Sequence, residues 1–499
     1  MRRIARMLRI GGHVGVLAGA LCLLLGGGCT GEQSFPSPIK MHLESGEMVI
    51  SFDTDGNKHA DFWQYQDPNG RKQAIAYAVE ATGEAGDRIE LDAIPPAECP
   101  HFVIALDGVP FELVEQLYQD GRFRFFHPPS RVICCFPSMT DLALAELFHV
   151  TPCRAYQAVR FDRGSNRIAS GSGSYLGGDN SPWLEKMDYR CSFWWDANAY
   201  LTPTAVFRHE LKGIHRTFRT ADDGQVCAYS VGTAGLGTRG GREAILDYLR
   251  TIDRLCEQII YERRGRVKLT LTADHGHNLV ENRRISLDEA LAAGGYRRSK
   301  SLRGPKDVVT ISYGLVTYVE VYTQEPAGVA AYLVNHDDVE FVCYPADDAI
   351  VVCDRSGEAR ITQGDAGFRY DLSRGDPLQL GAIVERLRGQ GSVSADGSIN
   401  GDALFDATVD HVYPDPLPRI WGAFHGLVEN PPDLVVNLRD GACYGSRFFH
   451  TMIRKVTSTH GSLNRINSTT FVMTMLGELP PALRSRDVLP ALEEARAPR

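Results

Sequence analysis

Four short polar segments, each beside an apolar run, carry the residues best suited to chemistry in this chain. Asp107 closes the run 102–106 (FVIAL) and is followed by Gly108. The segment Cys135-Phe136-Pro137-Ser138-Met139-Thr140 continues the run that starts at Arg131. Asp274-His275-Gly276-His277 closes the run 267–273, and His460 stands apart in Thr459-His460-Gly461-Ser462. Carboxylates and neutral imidazoles are good ligands for a zinc-like ion, and adjacent Asp274 and His275 at a strand end can point into one crevice. Thr140 adds a hydroxyl at the predicted start of a helix, where unpaired N–H groups and the helix dipole favour negative charge on an attacking oxygen or a phosphoryl group. A metal held by Asp107, Asp274 and His275 could lower the pKa of that hydroxyl and allow covalent catalysis without a histidine base. Taken singly, a Thr before a helix is a cap and a strand-end Asp satisfies a turn, so the chemical reading rests on the set.

The elements that must position these residues are legible from residue 101 onward. Apolar runs at 102–106, 131–136, 226–231 and 267–273 have the length and continuity of strands buried on both faces. Between them lie helical patterns: Phe111, Val114, Leu117 and Tyr118; the segment 140–148; and a long helix with the stripe Ile245, Leu249, Ile252, Cys256 and Ile259. Alternating strands and helices predict a mostly parallel sheet covered on both faces, an arrangement that binds ligands beyond the carboxyl ends of its strands. Past residue 300 the pattern changes to strand pairs at 307–323 and at 339–344 with 349–352. A short helix follows the first pair at 327–334, and 433–438 returns as a buried strand.

The order and spacing of these pieces resemble the alkaline phosphatase superfamily, in its type I phosphodiesterase/nucleotide pyrophosphatase branch. The matching pieces are VIALDGVPFELVEQLYQDGRF, CFPSMT, LTADHGH and THGS, which frame residues 100–480. The resemblance implies a three-layer α/β/α sandwich that hydrolyses phosphate mono- or diesters, usually with two zinc ions. It also implies that Asp107, Thr140, Asp274 and His275 hold one metal, with Thr140 as nucleophile, and that His460 belongs to a second.

One block departs from that pattern. Where the branch has Asp, three residues, then His as further ligands of the second metal, this chain has Ala234 and Thr238 in GTAGLGTRGG. Alanine cannot ligate, and threonine is a poor neutral ligand. Three expectations follow: a one-metal enzyme, replacement ligands such as Asp179 or His425, or a binding protein that keeps the fold without turnover. A sulfatase, which uses Cys-x-Pro-Ser-Arg, is a further alternative through Cys135-Phe136-Pro137-Ser138, although Met139 replaces the arginine.

The chain's 499 residues are 43% apolar and 23% charged, with a formal charge of −9. That is globular composition, and its acidic balance, with no basic block after the first ten residues, argues against nucleic acid and for small molecules as partners; that these are phosphorylated is what the resemblance implies. Residues 1–29 read as an export signal: Arg2, Arg3, Arg6 and Arg9 precede an apolar stretch at 14–25 and Gly26-Gly27-Gly28-Cys29. Cys29 after small residues resembles a bacterial lipoprotein cleavage site, so the chain is expected to be exported and anchored to a cell-envelope membrane by a lipid on Cys29. Loss of the signal would leave a charge of −13. Residues 30–39 read as a tether, 40–95 as a small β-rich module, 100–480 as the alkaline-phosphatase-like domain and 481–499 as a tail. Within the module, Asp53, Asp55, Asn57 and Asp61 surround Gly56 in a polar turn. A calcium loop is the alternative reading, but Gln64 stands where a full EF-hand loop has its bidentate Glu.

Overall fold

The computed structural model describes residues 35–169, 181–221 and 224–497. The signal, Cys29, the first half of the tether, the Gly-rich segment 171–178 and Asp179 lie outside them.

Six strands form the central sheet, in the spatial order Gln225–Ser230, His101–Leu106, Lys268–Ala273, Thr469–Thr474, Ser130–Ile133, Ala482–Arg484. His101–Leu106 is parallel to both of its neighbours, Leu106 pairing with Ser230 and with Ala273. Thr469–Thr474 runs antiparallel between Lys268–Ala273 and Ser130–Ile133. Leu106, Ile133, Ser230 and Ala273 therefore all end at one edge, and the antiparallel strand begins there. This is why the segments after four strands meet the segment 459–468 before the fifth.

The pleat divides the apolar side chains between two faces. Phe102, Ile104 and Leu106 face one core with Val114 and Leu117 of helix Phe111–Gln119 and the stripe Ile245, Leu249, Ile252, Cys256 and Ile259 of helix Gly232–Glu262. Val103 and Ala105 face the other with Leu144 and Leu147 of helix Thr140–Leu147. That second core continues into a nine-stranded sheet through Phe341, Cys343, Ile350 and Val352.

The chain is α/β as expected, and this nine-stranded sheet is a second, largely antiparallel one. Strand Leu434–Leu438 belongs to it, between Tyr318–Thr323 and Val339–Ala346, and not to the central sheet. Residues 481–499 also differ from the expected tail. Ala482–Arg484 pairs in parallel with Ser130–Ile133, and helix Val488–Arg496 buries Val488 and Leu492 in the core.

The N-terminal module is a five-stranded antiparallel meander from Lys40–Glu44 to Ile89–Glu90. It has no separate core: Ile50, Phe52, Phe62, Ile75 and Leu91 share one apolar cluster with helix Gly232–Glu262. No helix among the described residues is long and apolar enough to cross a membrane. The ten described cysteines are all unpaired, nine of them buried.

Candidate metal centre and nucleophile

Beyond the carboxyl edge of the central sheet, Asp107, Asp274 and His275 come together, each buried and each offering a ligand atom within 4.8 Å of the others. The backbone turn after Leu106 builds the site. Gly108 takes a positive φ of 66°, and a Cβ there would lie 2.4 Å from the His277 ring. Its N–H donates to Asp274 Oδ1 at 2.8 Å, and the His275 N–H donates to the same oxygen at 2.7 Å. Asp274 Oδ2 has no hydrogen-bond partner. It lies 3.3 Å from His275 Nε2, which is also 3.7 Å from Asp107 Oδ1. Asp107 Oδ2 accepts the Tyr229 hydroxyl at 2.6 Å.

Thr140 begins its helix half-buried, and its hydroxyl is 3.5 Å from Asp107 Oδ1 and 3.3 Å from His275 Nε2. His275 Nδ1 donates to the Gly276 carbonyl at 2.9 Å, which leaves Nε2 with its lone pair facing the cluster. Burial pushes the His275 imidazole down to about 4, so it is neutral at ordinary pH. Burial also raises both carboxyls above the usual range. For Asp107 the neighbouring Asp274 charge adds to the effect, while for Asp274 the Gly108 and His275 N–H groups oppose it.

No Lys or Arg among the described residues pairs with either carboxylate. Two buried acids without a basic partner, one with an unsatisfied oxygen, and a ligand-ready imidazole fit a divalent cation.

His460 arrives from the segment before Thr469–Thr474. Its ring stacks on His275 with centroids 3.9 Å apart, and Nδ1 donates to the Ser138 carbonyl at 2.8 Å. The segment is braced by the second sheet, where Thr317 N–H donates to the His460 carbonyl at 2.8 Å. His277, to which the sequence reading gave no role, is the third ring of the group, 5.2 Å from His460 by centroid. Its Nδ1 meets Ser458 Oγ at 3.0 Å and its Nε2 is unpartnered.

Among the described residues, no second cluster of three or more ligands gathers around His460 and His277. Ala234 and Thr238 are buried in the first turns of the long helix, and Thr238 engages Thr457 through its backbone carbonyl. His277 and His460 without a carboxylate fall short of a tight zinc set. Among the described residues, the ligand clusters of three or more are Asp107–Asp274–His275 and Asp53–Asp55–Asp61. His425 is not brought to the site: it is exposed at the end of helix Pro416–Phe424 and stacks on Trp421 at 4.1 Å.

Cys135, the alternative nucleophile, is buried and faces the Pro137 carbonyl at 3.6 Å, while Thr140 occupies the position against Asp107 and His275. In the N-terminal turn, Asp53 accepts the Gly56, Asn57 and Lys58 N–H groups, Asp55 accepts from Asn57, and Asp61 accepts from Thr54. Asn57 Oδ1 accepts the His59 N–H. Those bonds are what a polar turn needs.

Tyr229 was missed because an apolar-strand Tyr looks like core. Only the pairing of Tyr229 with Ala105 places its hydroxyl at Asp107.

No family model matches the sequence, and no curated protein matches it. Among solved structures, the chain is similar to phosphonoacetate hydrolase from Sinorhizobium meliloti 1021 in complex with phosphonoformate. The identity there is 14%, with 85% of this chain and 100% of that chain covered and a TM-score of 0.40. It is also similar to human ectonucleotide pyrophosphatase/phosphodiesterase 5, at 11% identity, covering 79% of this chain and 94% of that one, with a TM-score of 0.41. The murine ectonucleotide pyrophosphatase/phosphodiesterase 5 gives the same identity and coverage with a TM-score of 0.38.

Proposed function

We propose that the chain is a divalent-metal-dependent hydrolase of phosphate esters, of the alkaline phosphatase superfamily, with Thr140 as its nucleophile. What supports the reading is one arrangement: a half-buried hydroxyl within 3.5 Å of two members of a buried Asp107–Asp274–His275 cluster that lacks a basic partner. Asp107, Asp274 and His275 would hold the cation, zinc by the chemistry of the donor set, and it would supply a positive centre that stabilises charge on the Thr140 oxygen and on the ester phosphoryl group.

Thr140 would form the bond to phosphorus as the ester bond breaks, and water would then displace it. The helix start at Thr140 favours the developing negative charge. Gly108 and His275 N–H groups fix Asp274, and Tyr229 fixes Asp107, so neither carboxylate has to reorient when the hydroxyl loses its proton. His460, tied by Nδ1 to the loop that carries Thr140, would contact the leaving-group oxygen. The protein would act after export, held at a membrane by a lipid on Cys29.

Thr140→Ala in zinc-loaded protein is expected to abolish p-nitrophenol release from both bis-p-nitrophenyl phosphate and p-nitrophenyl phosphate while metal content stays unchanged. Activity that survives the substitution removes Thr140 as nucleophile. Ala234 and Thr238 favour a second reading, a one-metal binding protein without turnover. One metal per chain together with no release from either ester would select it.

A further inference from the structure

The loop that carries Thr140 and the loop that carries His460 are tied together by bonds to their own backbone carbonyls. Ser138 N–H donates to the Gly461 carbonyl at 3.2 Å, His460 Nδ1 donates to the Ser138 carbonyl at 2.8 Å, and Ser138 Oγ donates to the Ser462 carbonyl at 3.1 Å. Behind this junction lies a buried guanidinium, that of Arg419 from helix Pro416–Phe424. Its Nη2 donates to the Cys135 carbonyl at 3.3 Å and to Ser468 Oγ, and its Nη1 donates to the carbonyls of Pro414 at 2.7 Å and Leu463 at 3.4 Å. Ser468 Oγ in turn reaches the Leu463 carbonyl at 2.9 Å. Arg419 thus grips the start of one loop and the end of the other.

None of these bonds goes to a carboxylate, and Arg419 Nε has no partner. A cation held this way is costly to desolvate, so stability alone does not account for it. What a guanidinium offers here is a planar fork of donors that bonds several fixed acceptors at once, which a lysine cannot reproduce.

We propose that Arg419 is a positioning residue for the reaction: its fork sets the separation of the Thr140 and His460 loops and touches neither substrate nor metal ligand. The inference rests on reading Thr140 as the nucleophile. Arg419 bonds no member of the Asp107–Asp274–His275 cluster, so its loss should misplace the nucleophile against His460 and leave metal binding intact. A cleft lined by Cys135, Glu146, Asp415, Arg419 and the exposed Arg486 gives a small ion access to the guanidinium position.

The test compares Arg419→Gly and Arg419→Lys with the parent chain, using bis-p-nitrophenyl phosphate, metal analysis and hydrogen–deuterium exchange. In the glycine variant kcat is expected to fall on the order of 100-fold, the loss typical of a misplacement of about 1 Å, with KM and metal content unchanged. Guanidinium chloride at tens of millimolar should restore at least about tenfold, and the lysine variant should stay low. Exchange should quicken in peptides spanning 134–141 and 457–468 and not in those spanning 101–108 and 268–275, and guanidinium should reverse it.

A kcat within about threefold of the parent, a parallel loss of metal, or unchanged exchange overturns the proposal. If the glycine variant does not fold, the lysine variant decides: parent-like kcat and parent-like exchange overturn it. If the parent hydrolyses no phosphate ester, the functional reading falls by itself, and the exchange pattern still judges whether Arg419 holds the two loops.

Discussion

Tyr229 donates its hydroxyl to Asp107 Oδ2 at 2.6 Å, so a side chain near the end of one strand fixes the carboxylate that follows its parallel neighbour. Both groups are buried, and the bond stabilises the charged form of Asp107 against burial. A hydrogen bond to a buried charge contributes about 1.5–3 kcal/mol, and removing the support of a metal ligand costs roughly 10–100-fold in affinity or activity. Tyr229→Phe keeps the ring and the packing. It should weaken zinc binding by about 10–100-fold in competition with a chromogenic chelator while leaving the fold intact by circular dichroism.

Asp274 makes a sharper separation of stability from metal binding. Its carboxyl is raised by burial, so the folded chain without metal holds a proton that the unfolded chain would release. That stability is present below the unfolded carboxylate pKa and is lost as pH rises through the folded one. Asp274→Asn removes the charge. The Asn oxygen can still accept the Gly108 and His275 N–H groups, and its amide would face His275 Nε2. At neutral pH the metal-free variant should unfold at the same temperature as the metal-free parent or higher. It should also lose the added stability, about 2.7 kcal/mol at a hundred times Kd, that zinc confers on the parent. A variant that is still stabilised by zinc in differential scanning calorimetry would show that Asp274 is not a ligand.

The parts of this site that could be read from sequence were those where chemistry coincides with the end of a local pattern. FVIAL before Asp107 and the apolar run before Asp274 are unbroken, so strand, strand end and candidate ligand are legible together. The closing strand Thr469–Thr474 is half threonine, and its place between Lys268–Ala273 and Ser130–Ile133 depends on pairing with strands more than a hundred residues away. The nine-stranded sheet was hidden for the same reason, since Tyr318–Thr323 pairs with Leu434–Leu438 across the intervening hairpins. Arg419 looks like the polar face of an amphipathic helix until the loops it grips are brought to it.

Glu320 carries a pH dependence independent of the candidate metal centre. It is buried, its Oε1 accepts from Gln157 Nε2 at 2.8 Å and from the Tyr318 hydroxyl at 3.3 Å, and its Oε2 has no partner. Burial pushes it from 4.5 up to about 7. Between those values the folded chain keeps a proton that the unfolded chain has lost, so Glu320 contributes a fall in stability as pH rises from about 4.5 to about 7, and no further change above. The shift corresponds to about 3 kcal/mol at most. Glu320→Gln retains the acceptor for Gln157 and cannot ionise. In urea unfolding it should match the parent near pH 4.5 and exceed it by up to about 3 kcal/mol at pH 8. Parallel curves for the two proteins would place the pH dependence elsewhere.

The N-terminal sheet is joined to the long helix by a charge pair whose partners have little water around them. Lys72 Nζ pairs with Glu257 on the long helix, with the two side chains 9% and 11% exposed, and lies 5.0 Å from the centre of the Phe125 ring. Asp253, one turn earlier on the same helix, is also buried. Burial and the Glu257 charge push its carboxyl up to about 6, while Lys72 pulls it down. Lys72→Met would leave Glu257 without its cation beside the buried Asp253, which keeps Arg122 at 3.7 Å, and breaking a buried pair from one side costs about 3–5 kcal/mol. The loss should be larger at pH 8 than at pH 5, because Asp253 is partly protonated at the lower pH. Replacing both partners, Lys72→Met with Glu257→Leu, removes the unpaired charge as well and should recover most of the stability. Chemical unfolding of the two variants and the parent at both pH values measures the difference. A single variant as stable as the parent would mean that apolar packing of Ile50, Phe62 and Ile75 docks the sheet without help from the pair.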